Sequence, residues 1–166
     1  MTQYDADDHM TTLSVTIRPA GSADTEALAR LCVELGYDAN PEKTAESLRL
    51  VLAHHGHEVL VAETPDSQVA GWIHVFAAPR VGSPRFAEIG GLVVDSRLRR
   101  RGVGARLVAA AEESSIRLGF GTVRVRSRVE RGGTHDFYED RGFLLVKTQR
   151  VYERLIIEIA TDETQE

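Results

Sequence analysis

The chain is poor in cysteine and has no long hydrophobic run. Its only cysteine, Cys32, has no second thiol with which to form an internal disulfide. No apolar stretch approaches the roughly 20 residues of a membrane-spanning helix, and the first ten residues are acidic and polar rather than a basic segment with an apolar core. These features exclude a disulfide-rich secreted module, and they predict a cytoplasmic protein with no membrane partner.

Positive charge is also scarce, since 20 Lys and Arg residues stand against 25 Asp and Glu residues, for a net charge of −5. Nucleic-acid binding usually needs a broad basic surface, so we expect no nucleic-acid partner. The 166 residues, 42% of them hydrophobic, suffice for one compact domain with a sizeable core. We assign 14–160 to this single domain, 1–13 to a flexible tail and 161–166 to a polar end.

The most informative segment is a basic turn that contains Gly102 and Gly104 and lies between an apolar strand and an amphipathic helix. We call its residues, Arg99–Ala105, the glycine turn. Glycines let the backbone approach a ligand closely, and the first N–H groups of a helix bind anions, so the segment predicts a phosphate site. A nucleoside-triphosphate loop would need Lys and Ser or Thr where Ala105 and Arg106 stand, and a dinucleotide fingerprint would need a third glycine at Leu107.

Hydrophobic periodicity predicts an alternation of strands and helices. The predicted strands are Ser14–Arg18, Glu58–Glu63, Val69–Phe76, Phe86–Val94, Thr122–Val129, Phe143–Val146 and Arg150–Ile157. The predicted helices are one capped by Ser22 and ended by Gly36, one from Asn40-Pro41 to about His54, one over Val103–Leu118 and a short one near Tyr138. The strand-helix-strand unit around Val103–Leu118 implies one parallel strand pair.

Three features together carry a resemblance to a known family. They are the Arg-x-x-Gly-x-Gly spacing of Arg99, Gly102 and Gly104, the Phe-Tyr-Glu segment around Tyr138, and Glu88 on the strand before the turn. With these features the sequence resembles the GCN5-related N-acetyltransferase (GNAT) superfamily. The resemblance implies an α/β fold: a mixed, mostly antiparallel twisted sheet of about seven strands, four helices on both faces, and a splay between strands 4 and 5.

The resemblance also implies the cofactor and its site. In the family this turn holds the pyrophosphate of coenzyme A, and the preceding strand edge pairs with the pantetheine amides and supplies N–H groups for the oxyanion. The residues implied to bind acetyl-CoA are Leu92, Val93, Val94, Arg99, Arg100, Arg101, Gly102, Val103, Gly104 and Ala105.

The implied reaction is direct acetyl transfer to a primary amine. An amine with a pKa near 10 is protonated at neutral pH and must lose a proton before it attacks. Glu88 is the candidate base, and Tyr138 is the candidate acid that protonates the departing thiolate. A period of two puts Glu88 on one strand face with Gly90, Leu92 and Val94, unless Gly90-Gly91 forms a bulge that shifts the register.

The acceptor is less constrained by the sequence. The main hypothesis is a small-molecule amine; protein or peptide acetylation and CoA sensing without turnover stay as alternatives, and a homodimer through the last strands stays open. Near the histidines 54–57 no cysteine or carboxylate has zinc-ligand spacing, so no metal is expected. The candidate substrate residues are Tyr37, Trp72, His74, which is also a second candidate base, and Arg126, from the basic row Arg124, Arg126 and Arg128.

Overall fold

The computed structural model describes residues 12–128, 130 and 132–156 and divides into two compact units. The first unit extends to residue 129 and the second begins at Glu130, and each is described by itself. Most of the predicted tail, the polar end, and Val129 and Ile157, which end two of the predicted strands, lie outside the described residues.

The first unit consists of one sheet and its covering helices. Its strands are β1 (Thr16–Pro19), β2 (His57–Glu63), β3 (Val69–Ala77), β4 (Ala87–Val94) and β5 (Val123–Val125). Its helices are α1 (Thr25–Leu35), α2 (Pro41–Ala53) and α3 (Val103–Arg117), with 3₁₀ turns at Ser22–Asp24 and Ser96–Leu98. Among the described residues, no helix combines the length and apolar character needed to cross a lipid bilayer.

The helix ends follow the predicted signals, with one exception. Gly36 ends α1 with a left-handed φ of 98°, and the Asn40 side chain accepts the Lys43 N–H at 2.9 Å in front of α2. Ser22, however, opens a 3₁₀ turn, and α1 begins only at Thr25. The reason is local, because the Asp24 carboxylate is held by the Arg18 guanidinium and by the Gly21 N–H within this turn.

The five strands lie in chain order in one sheet. Neighbours from β1 to β4 are antiparallel, and β5 is parallel to β4 because α3 crosses between them. Helices α1 and α2 cover one face, where Val61 and Val93 join their core, and α3 covers the other, where Leu107 lies above Gly71. This arrangement confirms the predicted mixed α/β architecture.

A β-bulge at Gly90 changes the register of β4. Phe76 of β3 pairs with Glu88, but His74 pairs with Gly91, so Gly90 is the extra residue. Beyond the bulge, Gly91 and Val93 therefore share the face of Glu88. The unbulged expectation, which placed Leu92 and Val94 on that face, is wrong because the extra residue exchanges the two faces.

The parallel ladder between β4 and β5 is short. It joins Ala87, Glu88 and Ile89 to Val123, Arg124 and Val125, and β4 then continues to Val94 without a β5 partner. The predicted strand Thr122–Val129 is thus reduced to three residues in its described part. The ladder ends at Ile89, so residues 90–94 of β4 have no partner in β5 along this edge.

The second unit contains helix α4 (Gly132–Glu139), which is followed by a turn at Gly142 with φ of 79°. The predicted final hairpin is absent from the described residues 143–156, so the sheet has five strands rather than seven. The apolar side chains of residues 144–156 are exposed, for example those of Leu144 and Tyr152, at 84% each. The β-propensity of such residues makes a strand only when a partner strand pairs with the backbone.

Candidate functional site

The glycine turn has the backbone of an anion site. Gly102 precedes α3 with φ of 83°, which residues with a side chain rarely adopt. The first i to i−4 hydrogen bond of α3 joins the Arg106 N–H to the Gly102 oxygen at 3.2 Å. The N–H groups of Val103, Gly104 and Ala105 therefore have no acceptor within the helix, and the positive end of its dipole lies at the same place.

The three arginines of the turn have different roles. The Arg99 Nε donates to the Val94 oxygen at 3.1 Å, and its Nη2 lies 3.4 Å from Glu34, so this side chain ties the turn to the end of β4. Arg100 has φ of 58°, and the Arg101 oxygen accepts the Leu13 N–H at 3.0 Å. The turn is thus held by the backbone hydrogen bond from Leu13 and by the side chain of Arg99.

The edge of β4 leads straight into this turn. Because the β5 ladder ends at Ile89, the backbone of Gly90–Val94 faces no second strand among the described residues. The predicted residues Leu92, Val93 and Val94 all lie on this edge. An extended ligand with amide groups can pair there as a strand would.

Glu88 is buried, at 8% exposure, and is held by two arginines. Arg126 contacts both carboxylate oxygens, with Nε 3.2 Å from Oε1 and Nη2 3.3 Å from Oε2. Arg80 adds a contact from Nη2 to Oε2 at 3.3 Å. The two predicted residues Glu88 and Arg126 are therefore in direct contact, as a carboxylate and its counter-charge.

A pair of histidines lies on the same sheet face as Glu88. His74 Nε2 and His57 Nδ1 are 3.1 Å apart, and the His57 ring stacks on Phe76 at 5.0 Å between centroids. Burial, with a smaller contribution from the charge of His57, lowers the pKa of His74 to about 4. The pKa of His57 is also lowered, mainly by burial. Both rings are neutral at pH 7, so one ring N–H donates a hydrogen bond to the unprotonated nitrogen of the other.

The other two residues of the first unit that were predicted to contact the acceptor substrate differ in burial. Trp72 shares the sheet face of His74 and packs against the core; its indole N–H is buried and has no hydrogen-bond acceptor among the described residues. Its ring lies over Gly91. Tyr37 is 57% exposed in the connection between α1 and α2. Trp72 is therefore mainly a packing residue, whereas Tyr37 presents its ring to solvent.

In the second unit Tyr138 lies on α4 and is 8% exposed. Its ring makes edge contacts with Phe137 and Phe143, at 5.1 and 5.3 Å between centroids. Burial raises its pKa to about 12, although the positive charge of Arg141 opposes the shift. The phenol therefore keeps its proton at neutral pH, which is the state that a proton donor needs.

Sequence reasoning missed Arg80, His57 and Phe86 as neighbours of the candidate base. Arg80 lies in the loop after β3 and contacts Glu88 only through the fold, so the sequence carries no signal for it. His57 could have been found from the sequence, because it stands two positions before Val59 on β2 and the two residues therefore share a strand face. Phe86 precedes Glu88 by two positions, and its ring lies 4.1 Å from the Arg124 guanidinium carbon.

One surface depression lies apart from these residues. A surface depression of about 310 Å³ is lined by residues that include Asp24, Arg30, Gln68 and Arg97, and it contains none of the predicted site residues. Within the part of the chain that the structure describes, no three His, Cys, Asp or Glu side chains are grouped so as to hold a metal ion.

Comparison with known proteins gives one family match. The model of the acetyltransferase (GNAT) family matches residues 25–143, well over half of the chain. No curated protein sequence matches the chain.

Several solved structures share the fold at low sequence identity. A transcriptional regulator from Bacillus halodurans C-125 has a TM-score of 0.77 and 21% identity, and the match covers 85% of this chain and 100% of that one. Glucosamine-6-phosphate N-acetyltransferase from Arabidopsis thaliana has a TM-score of 0.73 and 20% identity, and the match covers 84% of this chain and 98% of that one. AAC(6')-Iy in complex with the bisubstrate analogue CoA-S-monomethyl-acetylneamine has a TM-score of 0.75 and 17% identity, and the match covers 86% of this chain and 99% of that one.

Proposed function

The chain belongs to the acetyltransferase (GNAT) family, whose members use acetyl-CoA, and we propose that it transfers the acetyl group directly to the primary amine of a small molecule in the cytoplasm. One observation carries this proposal. The edge of β4, free of β5 beyond Ile89, leads toward a turn whose Gly102 is left-handed and whose first helical N–H groups have no acceptor within the helix.

The residues of this edge and turn suit the two parts of coenzyme A. The N–H groups of Val103, Gly104 and Ala105 bind the pyrophosphate, and the charges of Arg99–Arg101 attract it. The amides of the pantetheine arm pair with the backbone of Leu92–Val94. Acetyl-CoA supplies the acetyl group as a thioester, so that a C–N bond forms to the amine while the C–S bond breaks.

On the acceptor side Glu88 takes the proton that the amine must lose. Glu88 lies on the face of the sheet that also holds His74 and Phe76. His74 is the second candidate base, because its buried ring is neutral and can pass a proton to His57. The backbone N–H groups of Leu92–Val94 stabilise the negative charge that develops on the acetyl oxygen.

Tyr138 is proposed to protonate the sulfur of the departing CoA. Its pKa of about 12 keeps the proton on the phenol until it is needed. A thiolate whose parent thiol has a pKa near 8.5 leaves without much help, so this residue increases the rate rather than making the reaction possible.

The small-molecule acceptor has modest support from the related structures. One of them is named for acetylation of glucosamine 6-phosphate, and another was solved with a bisubstrate analogue of CoA. We carry this chemistry over to the present chain as a proposal. Acetylation of peptides and CoA sensing without turnover are outcomes of the same experiment.

The first test is calorimetric titration with acetyl-CoA, followed by assay of free-thiol release with a panel of amines and peptides. Gly104→Val should weaken acetyl-CoA binding at least about tenfold, because the side chain occupies the space over the helix N-terminus. Gly121→Val is the matched control, since nothing lies within 4 Å of a β-carbon there. Absence of binding at millimolar acetyl-CoA would refute the proposal, and binding without turnover of any amine would show a sensor.

A further inference from the structure

Three arginines lie around Glu88 at the end of the sheet where β4 and β5 pair. We call Arg80, Arg124 and Arg126 the arginine cluster. Arg124 is in register with Glu88 on the neighbouring strand, and Arg126 follows two positions later on the same face. Arg80 reaches the carboxylate from the loop after β3.

The cluster carries more positive charge than its surroundings neutralise. Glu88 pairs with both Arg80 and Arg126. Arg124 pairs with no carboxylate among the described residues, and its guanidinium instead lies 4.1 Å from the centre of the Phe86 ring. The cluster thus holds three guanidinium groups and one carboxylate, so that among the described residues two positive charges are left uncompensated.

The arginines are also the more exposed partners in these contacts. The side chains of Arg80 and Arg126 are 45% and 55% exposed, whereas that of Glu88 is 10% exposed. Long exposed side chains change rotamer easily, but a buried carboxylate on a paired strand keeps its position. A ligand that competes for the guanidinium groups would therefore move the arginines away from Glu88 rather than move Glu88.

This charge distribution selects among amine acceptors. An acceptor whose only charge is its ammonium group would enter a region that is already positive, which raises the free energy of binding. An acceptor that also carries an anionic group would find guanidinium forks that suit the oxygens of a carboxylate or phosphate.

We propose that the acceptor is an amine bearing a carboxylate or phosphate, and that Arg80 and Arg126 bind this group and thereby free the Glu88 oxygens for the amine. This inference rests on the proposed acetyltransferase function and adds the substrate class. The anion then has two effects: it anchors the acceptor, and it removes the counter-charges that occupy the base.

The test compares matched amines that differ in one anionic group. Glucosamine 6-phosphate is compared with glucosamine, and an amino acid with its amide, so that phosphate and carboxylate are distinguished. Each pair is assayed with the wild-type protein and with Arg126→Gln, Arg126→Lys and Arg85→Gln. Arg85 is the control because it lies between Arg80 and Phe86 in sequence, but its guanidinium contacts Phe120 at 5.0 Å.

We expect the wild type to use the anionic member of at least one pair with a kcat/KM at least about tenfold higher, as charge-assisted hydrogen bonds provide. Arg126→Gln should lower kcat/KM for that substrate about tenfold or more, mostly through KM. For the neutral amine the same variant should not lower kcat/KM and should raise it, because one of the positive charges at Glu88 is removed. Arg126→Lys should restore part of the preference, because it keeps the charge without the fork. A merely structural role of Arg126 would lower both rates together.

Binding is measured separately by calorimetry of each amine with the CoA-loaded protein. If both members of every pair bind and react equally well, the inference is wrong while the acetyltransferase function stands. If the anionic amine binds through Arg126 but is never acetylated, the inference about the ligand holds and the proposed function fails. An equal loss with Arg85→Gln would also overturn the inference, because it would show an effect of overall charge.

Discussion

The indole ring of Trp72 lies over Gly91 so closely that a β-carbon at position 91 would stand 2.7 Å from the ring. The two residues are neighbours because the bulge at Gly90 pairs Gly91 with His74. The absence of a side chain at position 91 is thus a requirement of packing on the sheet face that carries Glu88.

Replacement of this glycine should disturb both stability and the tryptophan. Gly91→Ala should lower the free energy of unfolding by about 1–3 kcal/mol, because an added methyl group in a packed face displaces its neighbours. Trp72 is the only tryptophan, so its fluorescence in the folded protein should shift as the ring moves. Gly121→Ala, where a β-carbon has open space, should change neither; an unchanged emission spectrum in Gly91→Ala would contradict the contact.

The two ends of α3 offer a matched pair of glycines. Gly102 and Gly119 have φ of 83° and 82°, so alanine at either position is strained by about 1–2 kcal/mol. Only Gly102 belongs to the glycine turn. Gly102→Ala should therefore weaken acetyl-CoA binding in calorimetry, whereas Gly119→Ala should lose similar stability and bind normally. Equal affinities in the two variants would remove the glycine turn from the cofactor site.

Tyr138→Phe separates turnover from binding. Loss of the proton donor should lower kcat by about tenfold to a hundredfold, within the range of general acids, while the affinity for acetyl-CoA stays unchanged. Because burial raises the pKa of Tyr138 to about 12, its ionisation should not limit activity until well above pH 10. Tyr152→Phe, at an exposed tyrosine of the same unit, is the control, and a kcat equal to wild type in Tyr138→Phe would refute the assignment.

Because of His74, we expect the free energy of unfolding to decrease in mild acid. Its pKa is lowered from 6.5 to about 4 in the folded protein, so between these pH values the unfolded chain binds more protons. Stability is therefore present above pH 6.5 and decreases as the pH falls toward 4. Burial also lowers the pKa of His57, and it contributes in the same direction.

Urea unfolding at pH 7, 5 and 4 measures this effect. His74→Gln should reduce the fall in unfolding free energy across this interval, although His57 still contributes. His55→Gln, at an exposed histidine of the loop before β2, is the control and should keep the wild-type slope. If the unfolding free energy of His74→Gln falls with pH as steeply as that of the wild type, the lowered pKa of His74 does not contribute to the pH dependence of stability.

The ends of the helices could be predicted from the sequence. Gly36 ends α1, Asn40 and Pro41 begin α2, and the glycine turn opens α3, because caps and left-handed glycines depend only on nearby backbone groups. The same holds for the short helix around Tyr138. The parallel position of β5 also followed from the helix that connects it to β4.

The tertiary structure decided what depends on residues far apart in the chain. The register of β4 required the partner strand, since Gly90 becomes a bulge only by its pairing with β3. The contacts of Glu88 with Arg80 and Arg126 join residues from three segments, and no local pattern links them. The final hairpin was predicted from β-propensity, which does not by itself supply a pairing partner. Sequence determined most of the elements and the glycine turn proposed to bind an anion, whereas the charge around the candidate base was set by how those elements meet.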